Sequence, residues 1–198
     1  DALSLPVRTG KARVIGIEPA SLVTKSLVRE VKTDDTGCFQ SALNPGLTKI
    51  AVIERHKRTG KLGIGILEGY GLTGGAIATT ISHDSHNIVV AGDNDPDMLL
   101  AVRELADMGG GIVSVHGGAI RRLPLPIAGL MTSADPQEVN AVLHDMLVAA
   151  RAELGIPEDV EPFMTLSFMA LPVIPELKLT ARGLFNVNTF SFVGVEAD

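Results

Sequence analysis

Short β-branched runs set the rhythm of the first half of the chain. Residues 11–17 (Lys-Ala-Arg-Val-Ile-Gly-Ile), 48–54 (Thr-Lys-Ile-Ala-Val-Ile-Glu) and 61–68 each have the length and composition of a strand. Residues 32–46 are polar and punctuated by Gly37, Asn44, Pro45 and Gly46, which predicts a loop. A glycine-rich segment at 69–75 leads into residues 76–92. There two apolar, strand-like flanks enclose five consecutive polar side chains, His83, Asp84, Ser85, His86 and Asn87. Such groups carried into or beside a core cost free energy unless each finds a partner.

The rhythm then changes. From Asp95-Pro96 onward, Met98, Leu99, Val102, Leu105 and Ala106 recur at helical spacing until Gly109-Gly110-Gly111 stops them. A second helix starts at Asp135-Pro136, with Glu138 placed for a capping box. Its stripe of Val139, Val142, Leu143, Met146, Leu147, Ala150 and Leu154 closes at Gly155. Each helix follows an apolar segment ending in Ala-Gly, which makes a weak strand–helix repeat over residues 77–155. Between the helices, 111–115 and 119–123 flank His116-Gly117-Gly118 as a hairpin. Residues 164–171 and 190–195 read as further strands, separated by a proline-rich turn at 172–175. The pattern predicts an α+β layered domain of mixed β-sheet with two main helices.

Composition narrows the partners. The chain has 198 residues, 45% of them hydrophobic, yet no run reaches the ~18 apolar residues of a membrane span. A net charge of −6 argues against a phosphate backbone as partner. A single cysteine, Cys38, excludes an intrachain disulfide and fits a reducing, cytoplasmic compartment. The chain opens on Asp1 with no basic-then-apolar leader, so no secretion is expected, and the missing initiator Met suggests a piece of something longer.

Three candidate sites compete. Gly69-Tyr70-Gly71-Leu72-Thr73-Gly74 matches a dinucleotide fingerprint, but β-branched sequence follows where a helix is needed, so a turn between strands is preferred. Residues 123–131 (Leu-Pro-Leu-Pro-Ile-Ala-Gly-Leu-Met) are too apolar for a linker and read as buried or interface-covering. The 83–87 cluster is the strongest. In a regular strand His83 and Ser85 share one face, and Asp84 and His86 the other. A three-ligand metal site within this segment would need His56, His116 or a partner chain as well. No Gly-x-Ser-x-Gly nucleophile motif is present, and Cys38 has no adjacent histidine.

Taken together, several segments resemble the C-terminal domain of bacterial adenine deaminase. They are Gly69-Tyr70-Gly71-Leu72 with Gly75-Ala76-Ile77-Ala78, residues 82–90 (Ser-His-Asp-Ser-His-Asn-Ile-Val-Val), Gly109-Gly110-Gly111 and residues 123–131. Pro162-Phe163, residues 171–180 (Leu-Pro-Val-Ile-Pro-Glu-Leu-Lys-Leu-Thr) and Gly183-Leu184-Phe185 complete the set in the family's order. The resemblance covers residues 48–198, and the N-terminal segment 1–47 fits loosely.

The resemblance implies part of an amidohydrolase of purine salvage that converts adenine and water to hypoxanthine and ammonia. It also implies a preceding amidohydrolase barrel carrying a binuclear manganese or iron centre, and a homo-oligomer. This chain lacks a His-x-His pair and is too short for a ~250-residue barrel plus a second domain. No metal ligand is therefore expected in it. His83, Asp84 and His86 are expected as auxiliary catalytic residues, and Ser85 and Asn87 as substrate contacts. Two other readings stay open: a stand-alone small-molecule or metal-binding module, and a structural oligomerisation domain without catalysis.

Overall fold

The computed structural model describes residues 2–197. Eight strands build the main sheet: β1 (Lys11–Ile17), β2 (Thr24–Glu30), β3 (Leu47–Ile53), β4 (Leu62–Glu68), β5 (Gly75–Thr79), β6 (Ile88–Gly92), β7 (Gly111–His116) and β8 (Ala119–Pro124). They are ordered β2-β1-β4-β3-β6-β5-β7-β8. Only the β1–β4 pair is parallel, so the sheet is mixed. Every residue of β5 and β6 is buried, which is why both read as unbroken apolar runs.

Helices cover both faces. Strand side chains alternate, so Ala76 and Ala78 face one way and Ile77 the other. On the alanine face lies α1 (Asp95–Asp107), whose Met98, Ala101 and Leu105 pack against Ala76, Ala78, Val90, Val113 and Val115. Asn94 caps this helix by accepting from the Asp97 N–H. The opposite face carries α2 (Pro136–Ala152) and α3 (Pro162–Phe168). Here Met146, Ala150, Phe163 and Leu166 cover Ile50, Val52, Ile77, Val89 and Ile112. A second sheet of β9 (Leu177–Thr180), β10 (Gly183–Asn186) and β11 (Ser191–Phe192) adds Leu177, Leu179 and Leu184 to the same core. The result is the expected α+β layered domain. The strand–helix units β6–α1 and β8–α2 send their helices to opposite faces of the sheet.

Two expectations fail locally. Residues 164–171 are not a strand: α3 occupies Pro162–Phe168, capped by the Glu161 side chain. Five of its seven residues are buried, so it lacks the polar face that would show a helical period. β2 was not predicted because it is an edge strand with mostly exposed polar side chains. The anticipated strand at 190–195 shrinks to Ser191–Phe192. The 117–118 turn forms as expected, with φ of 54° at Gly117 and 81° at Gly118, the left-handed pair that suits a two-residue hairpin.

One edge of β1 is shared. β4 pairs only with Ile15 and Gly16. Nearer the start of β1, the C-terminal tail takes over: Arg13 N–H donates to Val195 O at 2.6 Å and Ala197 N–H to Lys11 O at 3.0 Å.

Candidate functional site

Register brings four connecting segments to one end of the main sheet. Ile53 lies opposite Ile88, Thr79 opposite both Val89 and Ile112, and Gly111 opposite Pro124. The segments that leave those positions, 54–61, 80–87, 108–110 and 125–131, must therefore converge. Their approach is close. Gly110 lies where an added Cβ would be 2.6 Å from Gly129 Cα and 2.9 Å from Thr80 Oγ1. The triple glycine thus ends α1 and also lets three segments touch. Thr80 Oγ1 joins them by donating to Gly129 O at 2.6 Å while accepting from Gly111 N–H at 2.8 Å.

Residues 80–87 form an irregular loop with a turn at 83–85, so strand alternation does not apply there. His86 has a φ of 48°, in the left-handed region that side chains rarely adopt. The turn brings the two imidazoles together, edge to face at 5.9 Å between ring centres. The His83 ring also lies 4.5 Å from Phe168, at the end of α3, and the backbone N–H of His83 donates to Ser167 O at 3.0 Å. Asp84 and Ser85 are the outermost residues of the turn, while Ser82 and Asn87 are buried at the base. No hydrogen bond joins Asp84 to either imidazole. His83 lines a mostly apolar cleft of about 290 Å³ with Ile81, Leu143, Phe163, Met164 and Phe168.

Electrostatics favour a neutral His86. Burial lowers its pKa most, the neighbouring His83, Arg55 and His56 lower it further, and Asp84 opposes them. A neutral imidazole can accept at one ring nitrogen and donate at the other. Three buried polar atoms in this loop have no partner: Ser82 Oγ, His86 Nδ1 and Asn87 Oδ1. Only one other such atom, Ser114 Oγ, occurs among the described residues. Each unpaired buried group costs about 1–3 kcal/mol, so this short loop concentrates the energetic irregularity of the domain.

The residues do not fit a metal centre. Among the described residues, no group of three or more His, Cys, Asp or Glu is arranged to hold an ion. His116 sits at the other end of the sheet, opposite Gly75, where its Nδ1 pairs with Gly74 O at 2.8 Å. His56 is close to the cluster but uses Nε2 to donate to Ser85 O at 2.8 Å.

Sequence reading missed Arg55, Thr80 and Phe168 as neighbours of the cluster, and it named His56 only as an added ligand for a metal site, whereas His56 holds the Ser85 carbonyl. Arg55 Nε donates to His86 O at 2.6 Å and its Nη2 to Ala128 O at 2.7 Å. The turn after Arg55 is held by Glu54, whose carboxylate accepts from the N–H groups of His56, Lys57 and Thr59 and stays ionised well below the usual carboxylate range. The strand reading of 48–54 located this turn, but nothing local showed what it faces.

Comparison with known proteins places the domain. The family model for the adenine deaminase C-terminal domain matches residues 21–191. Over 195 residues, 98% of this chain, it is 60% identical to a protein named adenine deaminase from Nitratidesulfovibrio vulgaris (strain Hildenborough), of which it covers 34%. It is 48% identical over 196 residues to adenine deaminase 2 of Carboxydothermus hydrogenoformans, covering 98% of this chain and 34% of that protein. The adenine deaminase of Clostridium acetobutylicum is 45% identical over 192 residues, with 96% of this chain and 34% of the relative covered. The chain thus spans about a third of the length of these curated relatives. It belongs to the adenine deaminase C-terminal domain family.

Proposed function

We propose that this domain forms one wall of the purine site of an adenine deaminase, which releases ammonia from adenine to give hypoxanthine. The observation that carries the reading is the 82–87 loop, with two facing imidazoles and three unpartnered buried polar atoms beside an apolar cleft. Places where a fold keeps such costs are commonly functional. The relatives' shared name supplies the reaction. A purine is flat and apolar on its faces, with nitrogen donors and acceptors at its edge, which suits a cleft of Phe168 and Leu143 rimmed by imidazole.

In this reading His83 lies against the base. Neutral His86 supports it and holds or moves a proton at a ring nitrogen, and Asp84 biases that proton electrostatically. Ser85 and Asn87 contribute polar contacts. The principal chemistry, with manganese or iron, belongs to a preceding barrel, and the exposed Ile127 and Met131 are its contact on this domain. A homo-oligomer in the cytoplasm completes the proposal, supported by further exposed apolar residues such as Phe190 and by the lone Cys38.

The test is kinetic, in the full-length enzyme. His86→Ala should lower kcat/KM for adenine by ~10²–10⁴-fold, the range of a positioned proton-transfer group. His83→Ala, which removes a contact with the base, should lower kcat/KM mainly by raising KM. Asp84→Asn should give a smaller loss, and metal content should not change. Wild-type kcat/KM in folded, metal-loaded His83→Ala and His86→Ala would show the cluster to be structural.

A further inference from the structure

The histidine loop is fixed largely from outside itself. Two consecutive residues beyond β3 take its carbonyls: Arg55 that of His86, and His56 that of Ser85. Arg55 does more, because its second contact reaches Ala128 in a different loop. Ala128, with a φ of 59°, is left-handed like His86. One guanidinium therefore secures the carbonyls of two residues in a conformation that each resists.

The fit is tight on the far side. Gly129 lies against the guanidinium, where an added Cβ would come 2.7 Å from Nη2 and 3.0 Å from Cζ. Arg55 belongs to none of the ion pairs among the described residues, so its charge is not cancelled locally. Lysine could not replace it, because one ammonium cannot place donors on both carbonyls with the geometry of a planar fork.

We propose that Arg55 is a positioning residue, which locks the 80–87 loop to the 125–131 loop so that His86 is held in a single orientation beside His83, the residue that meets the base. The inference rests on the purine site described above. Arg55 acts through backbone carbonyls and need not touch the base. A small displacement of a reacting group can cost on the order of 10²-fold in rate, so the lock matters even though it lies behind the imidazole.

The experiment uses the full-length, metal-loaded enzyme with Arg55→Lys, Arg55→Ala, Gly129→Ala and His86→Ala. We measure kcat and KM for adenine, the thermal transition, and the titration of His86 by histidine-selective NMR, assigned by its loss in His86→Ala. All three Arg55 and Gly129 variants should lose kcat/KM on the order of 10²-fold, mostly in kcat. Gly129→Ala should do so with Arg55 still present, because the new methyl displaces the guanidinium. The groups facing His86 are His83, His56, Asp84 and Arg55. Removing the Arg55 charge should therefore raise the His86 pKa in Arg55→Ala, and less in Arg55→Lys. Wild-type kinetics in Arg55→Lys and Gly129→Ala, beside a large loss in His86→Ala, would overturn the positioning role and leave the purine site standing. A lower thermal transition with unchanged kcat/KM and His86 pKa would make Arg55 merely structural and also overturn it. If His86→Ala itself keeps wild-type kinetics, the purine site fails and this inference with it.

Discussion

Lys178 shows what a single side chain costs in this domain. It is wholly buried on β9, and among the described residues its Nζ has one partner, Leu22 O at 2.9 Å. Desolvation pushes its pKa down to about 8. The sign of the linkage follows. Between about pH 8 and 10.5 the unfolded chain binds the proton that the folded chain has released, so stability rises with pH across that window. Lys178→Met keeps the aliphatic contacts and removes the effect. The Tm of the wild-type protein should therefore gain on that of Lys178→Met as the pH is raised from about 8 to about 10. A constant difference would mean that Lys178 keeps its ordinary affinity for protons. Lys49 is also buried, and its Nζ donates to Asp95 at 2.6 Å and to Leu3 O at 3.0 Å. Neither lysine is distinguishable in the sequence, where burial of a charge leaves no mark.

Among the elements, the connection at 125–131 has two characters. Leu125 is buried, and the Leu125 N–H donates to Gly110 O, while the turn at 127–131 projects Ile127 and Met131, 46% and 58% exposed. The apolar run is thus partly core and partly outward surface, whereas its composition pointed to burial or to cover by an interface. If a barrel covers that surface, Met131 in the full-length enzyme should oxidise in peroxide as slowly as the buried Met98 and Met146. Oxidation much faster than theirs would leave this face open to solvent. The same region shows how much was legible. Periodicity located α1 and α2, and glycine pairing located the 117–118 hairpin, because those signals are local. The 83–87 cluster also stood out, as polar residues between apolar flanks. Its geometry did not, because strand alternation assumes a ladder that stops at Thr79 and resumes at Ile88. Arg55 was invisible for a related reason: it meets His86 only through the Ile53–Ile88 register, a tertiary fact.

For the molecule as a whole, division of labour is the central expectation. Its residues do not assemble a metal site among those described, and it spans a third of its relatives. The isolated 198-residue chain, supplied with manganese or iron, should release no ammonia from adenine, whereas the full-length enzyme should. Turnover by the isolated chain would show that the domain carries chemistry of its own.

The shared edge of β1 has a consequence for how the protein is made. Residues 11–13 wait for residues 195–197 to complete their pairing. During synthesis almost the entire domain must leave the ribosome before that edge is closed. Until then the nascent chain presents backbone donors and acceptors that a neighbouring polypeptide could take instead. A chain ending at residue 194 would keep that gap permanently, so loss of a few residues far from the histidines would add open backbone, and with it a site for aggregation, to a sheet that already ends in the edge strands β2 and β8.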